Sequence, residues 1–422
     1  MAAEPMAREP RQDALLARIP ELAKQYEEYT VQCRRQVHRY AELAGQEVKT
    51  AALIAGEARK LGLSVETVSA TGLIVTLDTH RPGSGVVLRA DMDALPIPEN
   101  PRNMTRQRSV ISEDPQTSHA CGHDFHVAIL LGAMRVLWEL REELSGKIYF
   151  CFEEGEETGS GWPGMMQALE RRQVNTAFAL HVASSMEHGL VCVDDGPRMG
   201  GMVGVDATFI GRGGHGSRPD LSVNPVFAAA AALCNLSVAF ANQIDANETV
   251  TLGITSIQGG NAPNVIPDTA RVLGSLRCFC LEEGKKALEI LKRVFEDTAH
   301  MHRCRVEYGE TNDILLRPTV NDPDASRLAR QTLSAVLPQG TVVSSPKWYG
   351  SESFSEYLMR YKGAFGFLGI RNEELGCAAE HHNEYFDADE SALCTGIICY
   401  AAYAAAALCS PEVSGWERKL PE

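Results

Sequence analysis

Met202-Val203-Gly204-Val205-Asp206-Ala207-Thr208-Phe209-Ile210 reads as a strand, and the elements after it decide the fold. A helical pattern runs from Asn224 to Ala241, two strands from Thr249 to Ile257 and Ala270 to Cys280, a second helix from Glu282 to His302, and a last strand from Cys304 to Tyr308. Apolar residues at alternate positions mark the strands, and a three-to-four spacing marks the helices. The order β-α-β-β-α-β is that of a ferredoxin-like unit. At about 110 residues it is large enough to form a domain by itself.

Outside this unit the pattern is of another kind. Amphipathic stretches from Leu15 to Tyr40 and Glu47 to Leu61 precede short apolar strands at Gly72 to Asp78 and Val86 to Ala90, an α/β signature. Asp124 is expected to cap a helix reaching about Glu143 and ended by Gly146. Strands are expected at Lys147 to Phe152 and from Ala177 to Val182, the latter ending at His181. The α/β pattern resumes with a helix from Asp324 to Leu337, a strand from Ala364 to Ile370 and a closing helix from Ser391 to Leu408. The expected organisation is therefore an α/β domain in two parts, residues 1–200 and 313–422, interrupted by an α+β insert at 201–312.

The length, 422 residues, agrees with two domains. Hydrophobic residues make up 44% and charged residues 23%, which excludes disordered and fibrous classes. Lys and Arg total 40 against 55 Asp and Glu, a net charge of −15 that argues against nucleic-acid or membrane-surface binding by broad attraction. Met1 to Leu16 lacks the apolar core of a secretory signal, so a cytoplasmic location is expected. The longest apolar run, Ile397 to Cys409, falls short of the ~18 residues of a membrane span and reads as a packed helix. Twelve cysteines without any C-x-x-C pair suit small buried side chains better than disulfides or zinc ribbons.

Chemistry concentrates in a few segments. Ser118-His119-Ala120-Cys121-Gly122-His123-Asp124-Phe125-His126 packs a thiol and three imidazoles into a turn before a helix. Cys121 and His123, two apart, can aim at one ion from a bent loop but not from a regular helix. The helix N-terminus is expected to lower the thiol pKa. Glu153-Glu154-Gly155-Glu156-Glu157-Thr158-Gly159 places four carboxylates where a strand ends, enough for one to hold a cation and another to take a proton from activated water. His181 closes an apolar strand, and one of His381-His382 could be a ligand. Read individually, each could instead be a polar turn or a core histidine. Together they fall where open α/β sheets bind ligands.

Arg89-Ala90-Asp91-Met92-Asp93-Ala94-Leu95-Pro96-Ile97, His119-Ala120-Cys121-Gly122-His123-Asp124, Gly211-Arg212-Gly213-Gly214-His215-Gly216-Ser217 and Asn264-Val265-Ile266-Pro267-Asp268 resemble motifs of the metal-dependent aminoacylase/carboxypeptidase superfamily. The branch they resemble is the amidohydrolases that include hippurate, auxin-conjugate and aminobenzoyl-glutamate hydrolases, and the resemblance runs from about Arg35 to Leu393. It implies a dinuclear-metal α/β catalytic domain and a ferredoxin-like lid or dimerisation insert. By the same resemblance Cys121, His123, Glu157, His181 and His382 match the ligands of two divalent ions and Glu156 the general base. Asp93 matches a supporting acid, His215 an oxyanion-stabilising histidine that works across a homodimer, and Asn264 a substrate contact. Two Glu pairs compete for one motif, and Glu156/Glu157 is preferred because Thr158-Gly159-Ser160-Gly161 comes directly after it. Glu352-Ser353-Phe354 stands where the family has Glu-Asp-Phe, and Pro101 to Thr117 departs from the usual loop.

The expected reaction is hydrolysis of the amide of an N-acyl amino acid, with zinc or manganese, and cobalt or nickel also compatible with mixed N, O and S ligands. Arg212, Arg218, Arg277 and Asn264 are candidates to hold the substrate carboxylate, since the overall charge cannot attract it. The alternatives are a dipeptidase or carboxypeptidase of the same superfamily, a non-catalytic metal-binding or interaction protein on the same scaffold, and a hydrolase using Cys121 as nucleophile.

Overall fold

The computed structural model describes residues 10–417, so part of the stretch read for an export signal, Met1 to Leu16, lies outside the described residues. The chain divides into two compact units. One runs to Gly196 and takes in Val320–Pro346 and everything described from Glu356 on; the other comprises Pro197–Thr319 and Lys347–Ser355. The return of Lys347–Ser355 to the second unit has no signal in the sequence pattern. It is fixed there by the Gly200 N–H, which donates to the carbonyls of Trp348 and Gly350.

The first unit is built on an eight-stranded sheet in the order Ser64–Thr67, Leu73–Asp78, Lys147–Glu153, Gly85–Asp91, Thr176–Glu187, Lys362–Arg371, Val191–Cys192 and Val342–Val343. The four central strands from Lys147–Glu153 to Lys362–Arg371 are mutually parallel. Gly85–Asp91 is buried at all seven positions, as expected where helices cover both faces of a parallel sheet. The helices His123–Glu139 and Ala392–Cys409 share one apolar core with this sheet.

In the second unit, four antiparallel strands lie in the order Val250–Gln258, Thr269–Cys278, Gly201–Ile210 and Arg305–Tyr308. The helices Pro225–Gln243 and Leu281–Met301 pack on them around Phe209, Ala229, Leu291 and Phe295. In sequence numbering the strand order is 2-3-1-4 with β-α-β-β-α-β connectivity, the ferredoxin-like arrangement.

Several local expectations need correction. The stretch from Leu15 to Tyr40 is two helices, Pro10–Gln25 and Glu27–Arg39. Asp124 does not cap its helix. Gly122 stands at the N-cap, and the Asp124 carboxylate is drawn sideways onto Arg34 Nε at 2.7 Å and His38 Nδ1 at 2.8 Å. That helix ends at Glu139, and Gly146 belongs to the turn before the next strand. His181 does not end its strand, which continues to Glu187 because Lys362–Arg371 keeps pairing with it; the pairing with Gly85–Asp91 stops at Ala179. The helix around Ile397 to Cys409 is 18 residues long, enough by length and composition to cross a membrane, yet 83% of it is buried inside the protein. All twelve cysteines are free.

Candidate metal centre

Three parallel strands and one helix deliver the candidate residues to a single place. Gly122 adopts φ +86° immediately before the helix His123–Glu139, and a Cβ there would come within 2.4 Å of Val182 Cγ2. This left-handed turn, natural only for glycine, lets Cys121 and His123 face the same side although they are two apart. Gly155 at φ +57° turns the chain after Lys147–Glu153 into a single 3-10 turn, Glu156–Thr158.

Two of the imidazoles are oriented by their other nitrogen. His123 Nδ1 lies 3.0 Å from the Asp93 carbonyl and 3.1 Å from Asp93 Oδ1, which leaves Nε2 for an ion. His181 Nδ1–H donates to the Val182 carbonyl at 2.7 Å, and its Nε2 stands 3.5 Å from Cys121 Sγ. Asp93 Oδ2 accepts the Glu157 N–H at 3.0 Å, so one carboxylate sets both His123 and Glu157. His382, at φ +59°, donates its N–H to the Ala120 carbonyl and brings Nε2 to 3.3 Å from Glu157 Oε1. The donor atoms fall into three overlapping groups, each within 4.8 Å: Cys121, His123 and His181; Cys121, Glu157 and His382; His123, Glu156 and Glu157. All five expected ligands and the expected base thus form one cluster.

The cluster suits cations. Among the described residues, the buried atoms His123 Nε2 and Glu157 Oε1 have no hydrogen-bond partner. Such atoms are costly unless something binds them. A thiol, three imidazoles and a carboxylate are the donor set of divalent transition ions.

Electrostatics divide the donors. Burial opposes a charge on His123, yet Asp91, Cys121 and Asp93 together raise its pKa well above the ordinary value. Burial, with His126 and His381 beside it, lowers His181 and keeps it neutral. Burial also works against the Glu157 carboxylate, but His382 and His123 bring its pKa down. The expectation for Cys121 is overturned: burial and the neighbouring Glu157 push the thiol well up, although His123 beside it works the other way. Its thiolate therefore needs the cation that it would bind.

A fourth acidic and imidazole group, Asp91, His123 and His126, plays a different part. Asp91 accepts from His126 Nδ1 at 2.5 Å and from Arg89 Nη1 at 2.6 Å, while His126 Nε2 accepts the Val182 N–H at 3.0 Å. With both nitrogens engaged, His126 braces the strand that carries His181. Sequence reasoning passed over Asp91 and His126 as individual residues. Their signal was spacing: Asp91 closes its strand two residues before Asp93, and His126 stands about one helical turn after His123.

The competing residues are occupied elsewhere. Glu153 lies against the Arg89 guanidinium and accepts from the Tyr357 hydroxyl at 2.6 Å; Glu154 accepts from the Thr71 hydroxyl at 2.6 Å and the Gly72 N–H at 2.8 Å. His381 Nε2 accepts the Ser184 N–H at 3.3 Å. His119 is buried, which pushes its pKa down to about 3.

The remaining candidates belong to the second unit. His215 and Asn264 are neighbours there: Gly214–His215 pairs with Val265–Ile266, and the Gly216 N–H donates to the Asn264 carbonyl at 2.8 Å. His215 Nδ1 lies 2.8 Å from the Ser217 hydroxyl. Arg212 donates to the Leu221 carbonyl, Arg218 is paired with Asp220, and Arg277 donates to the Ser351 hydroxyl at 2.5 Å. Glu352 accepts the Phe354 N–H at 2.9 Å within its own turn.

A family model described as peptidase family M20/M25/M40 matches residues 87–406. The chain is 32% identical over 394 residues to thermostable carboxypeptidase 1 of Saccharolobus solfataricus, covering 92% of this chain and 98% of that protein. It is 32% identical over 381 residues to IAA-amino acid hydrolase ILR1-like 4 of Arabidopsis thaliana, covering 89% and 85%. Among solved structures it resembles the YXEP protein of Bacillus subtilis, described as a dinuclear metal binding peptidase from the M20 family. The TM-score is 0.78 at 27% identity, covering 91% of this chain and 99% of that one.

Proposed function

The chain belongs to peptidase family M20/M25/M40, and on that premise we propose that it hydrolyses the amide bond of N-acyl amino acids at a two-metal centre. The observation that carries this reading is the convergence of Cys121, His123, Glu157, His181 and His382 with Glu156 beside two of them. The five ligands would hold two divalent ions, zinc or manganese first, with cobalt or nickel compatible. When bound, the ions supply Lewis acidity and lower the pKa of water.

The chain's own groups do the rest. Glu156 takes the proton of the attacking water on its carboxylate and hands it to the amide nitrogen as the carbon–nitrogen bond breaks. Asp93 keeps His123 in the tautomer that presents Nε2 and holds Glu157 in place through its N–H. His215 and Asn264 offer an imidazole and an amide to substrate oxygens, and Arg212 and Arg277 are further candidates for the carboxylate. A small acyl amino acid also suits a chain of net charge −15, because such a substrate is held by local donors rather than by the overall field.

The active form is a homodimer through the second unit. Helix Pro225–Gln243 leaves Phe227 and Val238 about two-thirds exposed, and Val250–Gln258 is an edge strand with Ile257 exposed. An apolar helix beside an open edge invites a second copy. Twelve free cysteines fit the reducing cytoplasm.

The test is metal analysis with a panel of N-acyl amino acids and dipeptides on wild type and Glu156→Gln. The variant should keep its metal and lose turnover, and comparable turnover would refute the base. Dipeptides outrunning every acyl amino acid would favour the carboxypeptidase reading, which the Saccharolobus relative supports. Turnover that survives chelation would restore the Cys121 nucleophile.

A further inference from the structure

At the opposite, amino-terminal ends of the same strands, the first unit holds a cavity of about 810 Å³ that the hydrolytic chemistry does not use. Arg81, Lys147, Arg171 and Arg172 line it, against one lining carboxylate, Glu66. This is a local reversal of charge in a chain of net −15. Some of the cations are partly engaged: Lys147 with Asp78 at 2.8 Å, Arg172 with Glu66, and Arg81 with the Leu144 carbonyl at 2.7 Å and more distantly with Glu142. Arg171 is exposed and forms no ion pair among the described residues.

Two hydroxyls make this more than a basic surface. Tyr149 and Ser84 line the cavity, are 5% and 2% exposed, and make no side-chain hydrogen bond to a described residue. Their side chains are packed in the wall while no described protein group takes up the hydroxyls, which leaves both free to donate to an acceptor in the cavity. The walls are fixed by backbone contact. A Cβ at Gly85 would meet the Gln173 carbonyl oxygen at 1.9 Å, and one at Gly83 would meet Gly146 N at 2.7 Å. The lining donors therefore come from three walls in backbone contact: Ser84 from the first, Lys147 and Tyr149 from the second, Arg171 and Arg172 from the third.

We propose that this cavity binds a small phosphate-bearing anion. A planar carboxylate offers two oxygens to one or two donors, whereas a phosphate accepts from several directions at once, which matches donors arriving from three sides. The site rests on none of the residues that carry the hydrolase reading.

Calorimetry with pyrophosphate as the probe tests this on the metal-loaded protein, comparing wild type with Tyr149→Phe, Arg171→Ser and the double variant. Wild type should bind at sub-millimolar concentration. Tyr149→Phe should weaken binding about tenfold or more, the double variant should abolish it, and all should retain wild-type thermal midpoints and probe-free turnover. Absence of binding at millimolar probe would overturn the proposal. So would binding unchanged in the double variant, which would place the probe on the metals. Binding sensitive to Arg171→Ser but not to Tyr149→Phe would mean surface attraction alone and would overturn it as well.

Discussion

Glu153 and Glu154 are separated from Glu156 and Glu157 by one glycine, and the two pairs live in different worlds. The first pair is satisfied where it stands: Glu153 by Arg89 and the Tyr357 hydroxyl, Glu154 by donors on Thr71 and Gly72. In the second pair, Glu157 Oε1 has no hydrogen-bond partner among the described residues and lies 3.9 Å from His123 Nε2. Gly155, at φ +57°, turns the backbone between them. Residue type is the same on both sides, so the chemistry is assigned by what each carboxylate meets after the turn.

Substitutions can break that contrast. The largest effect belongs to Glu156→Gln: removing the proton carrier should lower kcat by about 10²–10⁴-fold at unchanged metal content, read by steady-state turnover beside metal analysis. The matching change on the other side, Glu153→Gln, should leave the metal complement of the folded protein intact. It should cost about 3 kcal/mol of stability instead, because it strips charge from a buried Arg89 pair. Chemical denaturation measures this. Loss of turnover without loss of stability would reverse the roles of the two pairs.

The contrast also explains what could be read from sequence. The strand and helix order of the second unit was legible because its periods are clean, and the Cys121-Gly122-His123 cluster because ligating residues rarely crowd so closely. The bracing by Asp91 and His126 was not, since a carboxylate in a strand looks alike whether it meets Arg89, a histidine or water. Asp124 shows the same limit: its place in the first helical turn suggested a cap, and the tertiary partners Arg34 and His38 outcompete the backbone. His181 was placed at a strand end because its apolar run stops there; pairing with Lys362–Arg371 carries the strand on.

Asp93→Asn sharpens the comparison from the metal side. Its carboxylate reaches both His123 and the Glu157 N–H, so the amide should weaken metal affinity by about 10–100-fold while leaving Glu153 and Glu154 undisturbed. Competition with a metal chelator reads the change, and unaltered affinity would remove Asp93 from the site's support.

The smallest effect is expected at Glu154, and its pH dependence is what distinguishes it. Burial alone would raise this carboxyl, but hydrogen bonds from Thr71 and Gly72 hold its pKa below the ordinary 4.5. A group whose folded pKa is depressed contributes stability in full above its unfolded value and loses it as the pH falls through the folded one. Glu154→Gln keeps an acceptor for one donor but forfeits the charge, so a deficit of about 1 kcal/mol is expected at neutral pH. As the pH falls below the ordinary 4.5 and through the lower folded value, this contribution disappears and the two proteins should converge. Thermal midpoints of metal-free wild type and variant, taken from neutral pH down through the acid range, track this directly. A deficit that stays constant over that range would mean that the geometry of the Thr71 contact, and not the charge, is what Glu154 contributes.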